Sequence, residues 1–404
     1  MPDMPTTPRP SSATLQAVPP FWLLAAVTMT GTAALHIFVP ALPDIARDFA
    51  VTRPTAQYTI TLYLVGMALG QLVYGPLSDR FGRRPLLLTG MSLYLAGLVL
   101  AALANGIGML LAARVLQSLG GCGALVLGRA MVRDVAGRQD AARQLATLGL
   151  VMGITPAAAP AIGGLIDGWL GWRALFVALA LVVLALLVLV LRRLPETNRA
   201  LLPLPGPSAI LFGYWILWRS PAYRRYTIAG ACAATSLYAF LADAPFLLVG
   251  IMHQAPASVG FYCLLAVAGM MLGTLLARQL AGSASPQRAA PAFMARRGNL
   301  LCLASAGLLV LLSATHHLGL AAMMTLLVLY AIGIGVVSPN ALAGLMNTHP
   351  ERAGAASSLY GFLQMAFGAG FTWAVSLGIG GPENAMALVL LAAAACAGAS
   401  LWRA

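Results

Sequence analysis

The sequence predicts an all-α membrane protein whose twelve transmembrane helices form two pseudo-symmetric six-helix bundles. Of its 404 residues, 60% are hydrophobic and only 9% are charged, and the mean hydropathy is +0.85. Such a chain cannot present a surface that water solvates, so lipid must surround most of it. Apolar windows of about 20 residues, each long enough to cross a bilayer, recur twelve times between short charged loops.

The windows fall into two sets of six, separated by one long connection. They cover about 21–42, 57–77, 85–104, 107–128, 144–166, 172–191, 226–250, 257–280, 298–315, 318–338, 354–379 and 384–402 on a hydropathy reading. We therefore predict bundles at 21–191 and 226–404 and a cytoplasmic connection at 192–225. The Pro/Ser/Thr-rich stretch 1–20 is predicted to be a disordered cytoplasmic tail, not a signal peptide.

The arginines predict the orientation, because the chain contains no lysine. With the N-terminus inside, Arg47, Arg53 and Arg173 fall in outer loops and Arg114 falls within a span. All the other arginines fall on the inner side, which is the side that basic loops favour. Both termini are therefore predicted to be cytoplasmic.

The long connection contains a short apolar and aromatic run, Ser208 to Ser220, which is too short to cross the membrane. We interpret it as a helix lying in the inner interface, anchored by Trp215 and Trp218. An ordinary loop is the alternative.

Composition also argues against several classes of function. The net charge of +13 comes from arginines scattered among short loops, not from one continuous basic face, so a nucleic-acid partner is not expected. The five cysteines lie in apolar runs without metal-like spacing and are expected to be core residues. No phosphate-binding Gly-x-x-x-x-Gly-Lys stretch and no catalytic constellation is present, so neither an enzyme nor a cofactor is predicted.

The first and fourth spans contain candidate functional residues. Pro40 and Pro43 are expected to break the first helix near its outer end. His36, one turn earlier, is either a proton-coupling group or a neutral core histidine. In the fourth span, Arg114 lies deep in an apolar helix, where an arginine costs about 2.5–3.5 kcal/mol, so it should face a cavity or a partner. Gln117 shares its face.

Charged residues cluster between the second and third spans. The stretch Gly75 to Pro85 places Asp79 among three arginines, and its glycines predict a tight cytoplasmic turn. Arg133 and Asp134 follow the fourth span on the same membrane side. We expect a charge network that holds one conformational state, with separate solvated charges as the alternative. The switch candidates are Gly75, Asp79, Arg80, Gly82, Arg83, Arg84, Arg133 and Asp134.

The fifth span combines two prolines with several glycines. Such a helix is expected to be kinked and smooth on one face, so that it can slide or bend against its neighbours. The residues concerned are Gly149, Gly153, Pro156, Pro160, Gly163 and Gly164.

These motifs together resemble those of the major facilitator superfamily, and within it the drug:proton antiporters of the bicyclomycin and chloramphenicol resistance type. Gly75 to Pro85 is similar to the loop signature between helices 2 and 3. Arg114 and Gln117 match the helix 4 motif, with Ser118 in place of its usual glycine. The pattern from Gly153 to Gly164 resembles the antiporter motif of helix 5.

The resemblance has two departures, both at ionisable groups. His36 stands where members of the family usually have an acidic residue before the helix 1 proline. Asp243, in the seventh span, stands where they more often have a small uncharged residue. Because the two halves are related by a parallel repeat, we expect His36 and Asp243 to face each other and to replace the missing acid. The alternative is an Asp243 solvated near the outer surface.

The resemblance implies a proton-coupled exporter of hydrophobic or cationic small molecules in a bacterial inner membrane, working by rocker-switch alternating access as a monomer. An exporter or importer of an endogenous metabolite, such as an amino acid or siderophore, is the alternative. His36, Arg114, Gln117 and Asp243 are the predicted proton or substrate groups.

Overall fold

The computed structural model describes residues 19–135, 138–198, 206–255, 258–283 and 290–402. Within these ranges the chain is almost entirely helical and has no strand. Nearly all of the predicted tail at 1–20 lies outside the described residues, as do Pro203 and Pro205 of the long connection.

The helices before the long connection correspond to the first six predicted spans. They are α1 (Phe21–His36), α2 (Leu42–Asp48), α3 (Arg53–Phe81), α4 (Arg83–Ala102), α5 (Ile107–Val135), α6 (Arg138–Leu170) and α7 (Trp172–Arg193). A 3-10 turn at Val39–Ala41 separates α1 from α2. The predicted break at Pro40 and Pro43 is therefore present, and the first span consists of two helices.

The remaining helices are α8 (Pro207–Arg219), α9 (Pro221–Pro245), α10 (Val259–Ser283), α11 (Pro291–Ala314), α12 (Leu320–Met346), α13 (Ala353–Ser376) and α14 (Pro382–Trp402). A π-helical turn, Phe246–Ile251, continues α9, and a 3-10 turn at Pro350–Arg352 precedes α13. The helix α8 occupies the run for which an ordinary loop was the alternative, so that alternative is wrong.

Eleven spans in the described part of the chain are long and apolar enough to cross a membrane. The twelfth predicted span corresponds to α13, which has 24 residues and is rich in glycine and serine besides Gln364 and Thr372. Several helices extend beyond the apolar windows, as α3 does at both ends. Polar and charged residues at these ends are compatible with helix and can emerge from the lipid.

The stretch from Gly75 to Pro85 is not the tight turn that the sequence predicted. The helix α3 continues past Pro76 as far as Phe81, and α4 begins at Arg83. Only Gly82, with a φ of 92°, interrupts the helices. Glycine alone adopts this conformation without strain. Gly82 therefore reverses the chain direction by itself, whereas the sequence predicted a turn of eleven residues. The charges therefore lie on two helix ends.

The apolar side chains form two main cores. One lies among α1 to α7 and includes a few residues of α9 and α13, and the other lies among α9 to α14. Two helix pairs join them: α3 packs along α13, and α6 packs along α10. Within the first pair, the hydroxyl oxygens of Thr61 and Thr372 lie 2.9 Å apart and are hydrogen-bonded.

Glycines in α6 and α10 allow their backbones to approach other helices. A Cβ on Gly163 would overlap the carbonyl oxygen of Ile37, which follows α1. A Cβ on Gly260 of α10 would overlap the backbone at Ala161. The stretch of α6 around Gly163 is thus held between elements of both cores by contacts that leave no room for a methyl group.

We predict that Gly163→Ala destabilises the protein and that Gly164→Ala does not. The first change forces apart α6 and the end of α1, which for overpacking costs about 1–3 kcal/mol. At Gly164 the nearest atom to an added Cβ is 3.8 Å away, an ordinary contact distance. Thermal unfolding in detergent measures the difference. Equal melting temperatures for the two variants would contradict the packing described here.

Candidate functional site

Arg114 is completely buried where α1, α3 and α5 meet. Its Nη1 donates to the carbonyl oxygen of Ala34 at 3.1 Å and to Oε1 of Gln117, and its Nε donates to the carbonyl oxygen of Thr59 at 3.3 Å. The partners come from three helices, so the guanidinium is held in one position. The shared face of Arg114 and Gln117, expected from their spacing, is confirmed.

Two aromatic rings stand in for a counterion at Arg114. The guanidinium carbon lies 4.5 Å from the centre of the Phe38 ring and 4.3 Å from that of Tyr63. Stacking on both rings stabilises a desolvated cation. None of the ion pairs of the described residues includes Arg114.

Two donors at this site have no hydrogen-bond partner, namely Nη2 of Arg114 and Nε2 of Gln117. An unsatisfied buried donor carries a cost of about 1–3 kcal/mol, which a ligand with a suitable acceptor recovers. The site is therefore suited to a carbonyl, hydroxyl or carboxylate oxygen.

His36 ends α1 and is buried against the second half of the chain. Its Nδ1 lies 2.8 Å from the carbonyl oxygen of Thr32, and its ring centre lies 6.0 Å from that of Tyr238 in α9. The histidine therefore lies where α1 meets α9. These contacts are compatible with both roles that the sequence left open.

Asp243 is the most informative departure from expectation. Its side chain is 0% exposed, so the alternative of a carboxylate solvated at the outer surface is wrong. Oδ1 accepts hydrogen bonds from the Arg53 guanidinium and, at 2.9 Å, from Nε2 of Gln57. Gln57 also donates to the carbonyl oxygen of Ala242 at 3.2 Å. The second oxygen, Oδ2, has no partner.

The expected pairing of His36 with Asp243 is not what the structure shows, since each side chain has other partners. The guanidinium of Arg53 presents several charge-assisted donors, whereas Nδ1 of His36 already contacts the carbonyl oxygen of Thr32, so the desolvated carboxylate is stabilised better by the arginine. Sequence reasoning had left Arg53 as an ordinary loop charge. The available signal was its place in the first turn of α3, where a cation opposes the helix dipole and gains from an acidic partner.

Arg83 organises a second charged cluster at the other end of α3. Its Nη1 lies 2.7 Å from Oδ1 of Asp79 and also contacts Ser78, and its Nε lies 3.1 Å from Oδ2 of Asp134. The arginine thereby links α3, α4 and α5. The predicted network is present for Asp79, Arg83 and Asp134, whereas Arg133 is exposed.

Glu196, after α7, completes this cluster. Its carboxylate accepts from the backbone N–H groups of Arg83 and Arg84 at 2.9 and 3.0 Å, which places an anion at the positive end of α4. A Cβ on Gly82 would lie 2.6 Å from Glu196 Oε2, so this position requires glycine for two reasons. Arg84 donates to the carbonyl oxygen of Leu191 at 2.8 Å, and Arg80 lies over the ring of Phe81.

The six residues singled out in the fifth span all lie in α6, but they do not share one role. Gly163 makes the close contact described above. Around Gly149 and Gly153 an added Cβ would meet nothing within 4 Å, so these two positions are not needed for packing in this state. Pro156 and Pro160 lie inside the continuous helix.

Comparison with known proteins identifies the family. A family model described as Major Facilitator Superfamily matches residues 21–373. The chain is 31% identical over 358 residues to a protein of Pseudomonas aeruginosa named "Chloramphenicol resistance protein", covering 86% of this chain and 80% of that one. It is 29% identical to "Multidrug resistance protein D" of Escherichia coli, covering 85% and 84%.

A third relative is the "Bicyclomycin resistance protein homolog" of Haemophilus influenzae, at 28% identity over 86% of each chain. Among solved structures, a D-xylose-proton symporter superposes with a TM-score of 0.77 over 95% of this chain and 96% of its own. Since the two sequences are only 13% identical, this likeness concerns the fold.

We predict that Arg83→Lys weakens the inner cluster, because a lysine cannot reach Asp79, Asp134 and Ser78 with one planar group. Hydrogen bonds to charged groups contribute about 1.5–3 kcal/mol each, so the melting temperature in detergent should fall by several degrees. Arg80→Lys is the matched control, since Arg80 contacts only the neighbouring Phe81 ring among the interactions described. Equal effects of the two changes would show that the Arg83 network contributes little.

Proposed function

The chain belongs to the Major Facilitator Superfamily, and from this premise we propose that it is a proton-coupled exporter of hydrophobic small molecules. The family membership and the drug-resistance names of its relatives support a multi-pass membrane transporter. Export, proton coupling and the rocker-switch movement are our proposal. So are the bacterial inner membrane, the two bundles 21–191 and 226–404, the cytoplasmic termini and the monomeric state. No enzymatic activity and no cofactor is part of it.

The observation that carries the proposal is the buried ion pair between Arg53 of α3 and Asp243 of α9. It joins the two halves of the chain at the end of α3 that is outer in the proposed orientation. Opening this side must separate the pair, and closing it again must neutralise Asp243, because an unpaired buried charge costs several kcal/mol. Either Arg53 or a proton can do so.

Arg53 and a proton therefore compete for the carboxylate of Asp243. This competition couples the closing of the outer side of the transporter to the pH of the outer solution. When the outer side is open, Asp243 meets outer water and can take up a proton. A protonated Asp243 can be buried without Arg53. In this scheme the proton gradient acts on the same contact that closes the transporter.

Arg114 and Gln117 form the proposed cargo site, nearer the middle of the helices. Their two unpartnered donors would bind an acceptor oxygen, and the rings of Phe38 and Tyr63 would contact its apolar part. His36, between this site and α9, is the second proposed proton group. The cluster around Arg83 would hold the inner ends of α3, α4 and α5 together in one of the states.

One observation favours the second candidate, transport of an endogenous metabolite. The two free donors at Arg114 and Gln117 would also suit the carboxylate of a polar metabolite. An amino acid or siderophore has such oxygen acceptors. The direction of transport and the class of cargo therefore have to be tested together.

We predict that overexpression raises resistance to chloramphenicol, bicyclomycin or another apolar drug in a panel, and that a deletion strain becomes more sensitive. In inside-out vesicles, an imposed pH gradient should drive drug accumulation, and a protonophore should abolish it. Metabolite movement with unchanged drug resistance would favour the second candidate. Drug accumulation that ignores the gradient would contradict proton coupling.

We predict opposite pH behaviour for two variants of the ion pair. Asp243→Asn cannot take up a proton, so export should lose its dependence on the outer pH. In Arg53→Gln only a proton can neutralise Asp243. Export should therefore fall most at alkaline outer pH, where Asp243 is left as an unpaired buried charge. Removing one partner of a buried ion pair destabilises a protein by about 3–5 kcal/mol. Initial rates at several outer pH values measure both effects.

The double variant and a surface variant serve as controls. Combining Asp243→Asn with Arg53→Gln removes both charges and should restore closure without restoring the pH dependence. Arg47→Gln alters an exposed pair with Asp44 and should change little. Unchanged gradient-driven export by Asp243→Asn would remove this residue from the mechanism.

A further inference from the structure

A groove lies apart from the proposed transport site, between α8 and α13. This groove has a volume of about 640 Å³, within the range of about 300–1,000 Å³ typical of small-molecule sites. Its walls are almost entirely apolar and include Leu211, Phe212, Trp215, Trp218, Leu359 and Leu363. The last two belong to α13, and the others belong to α8.

The groove exists because α8 is attached to the bundle along one edge only. Leu217 is fully buried in a cluster with Tyr223 and Ala356, and the Tyr223 hydroxyl donates to the carbonyl oxygen of Ala356 at 2.8 Å. Leu211 and Phe212, in contrast, are 67% and 63% exposed. Nothing in the described chain covers these side chains, and they would be poorly solvated by water.

Positive charge lies beside this groove at Arg219, and two further arginines, Arg224 and Arg225, follow in the first turns of α9. The Arg219 guanidinium carbon is 5.3 Å from the centre of the Trp215 ring, so the cation lies over a residue that lines the groove. Arg224 is exposed, and the Nε of Arg225 has no hydrogen-bond partner. None of these three arginines takes part in an ion pair with a described carboxylate. The adjacent start of α9 adds the positive end of its dipole.

We propose that the groove binds one anionic phospholipid of the leaflet in which α8 lies. Its acyl chain would fill the groove between α8 and α13, and its phosphate would meet Arg219 and the neighbouring arginines. An apolar groove that lies beside uncompensated cations is complementary to such a lipid. A zwitterionic lipid would fill the apolar part but gain less from the charges.

A lipid in this groove would contact a helix that joins the two cores. The same α13 packs along α3, which carries Arg53 at one end and Asp79 at the other. A lipid held between α8 and α13 would connect the middle segment of the chain to a helix that joins the two cores. This inference does not depend on the direction of transport or on the cargo.

The experiment uses the full-length protein in vesicles that contain phosphatidylglycerol with a photoactivatable acyl chain. We expect peptide mapping to find crosslinks on α8 and α13, at the residues that line the groove. Competition by unlabelled phosphatidylglycerol should be stronger than by phosphatidylcholine, and glycerol phosphate should not compete. Crosslinks confined to other helices, or equal competition by all three, would overturn the proposal.

Three variants test where the headgroup and the acyl chain of the lipid bind. Arg219→Gln should weaken competition by phosphatidylglycerol about fivefold and leave that by phosphatidylcholine unchanged, given about 1 kcal/mol per basic residue near an anionic headgroup. Leu211→Asn, at an exposed wall position, should weaken competition by both lipids. Arg192→Gln, an exposed arginine on α7, is the control for general surface charge. Equal effects of Arg219→Gln and Arg192→Gln would exclude a specific headgroup contact, as would unchanged binding in all variants.

Discussion

A charge removed from water has to be neutralised by the groups around it, and this constraint governs the interior of the protein. Asp243 is neutralised by Arg53, across the boundary between the two halves. Arg114 is stabilised by carbonyl oxygens, Gln117 and two aromatic rings. The difference is functional in our interpretation. A pair can be exchanged for a proton, whereas a lone cation surrounded by acceptors and rings keeps its charge and can attract an acceptor on a ligand.

The halves of the chain meet through two kinds of contact that respond differently to movement. Two polar contacts can break and be replaced by hydrogen bonds to water: the ion pair between α3 and α9, and the threonine hydrogen bond between α3 and α13. The contact of Gly260 in α10 with Ala161 in α6 depends instead on backbones that touch without side chains between them. Such surfaces separate or slide without leaving a cavity or an unpaired charge. A helix such as α6 is therefore suited to the movement that we propose for this boundary.

The opposite end of α3 is held by a cluster of charged side chains. There Glu196 joins the start of α4 to the segment after α7, and Arg83 joins the start of α4 to α5. The connection leads from this segment into α8, which packs against α9 and α13. The network of charges and the groove between α8 and α13 thus lie on neighbouring parts of the chain. Both connect the middle segment to helices that join the two cores.

The sequence by itself determined the class of fold and the identity of several charged or ionisable residues in the interior, although it predicted twelve spans where eleven of the described helices are long and apolar enough to cross a membrane. It did so because lipid requires about 20 apolar residues per crossing and makes every intramembrane charge conspicuous. It identified Arg114, His36 and Asp243 individually, and it grouped Asp79 with Asp134 from their shared membrane side. It failed where the outcome depends on partners distant in the chain. Arg53 and Asp243 are separated by 190 positions, and Glu196 lies more than 100 positions from the helix end that it caps. Only the tertiary structure decided that Asp243 pairs with Arg53 instead of His36, because helix packing, not local pattern, selects which cation reaches a buried carboxylate.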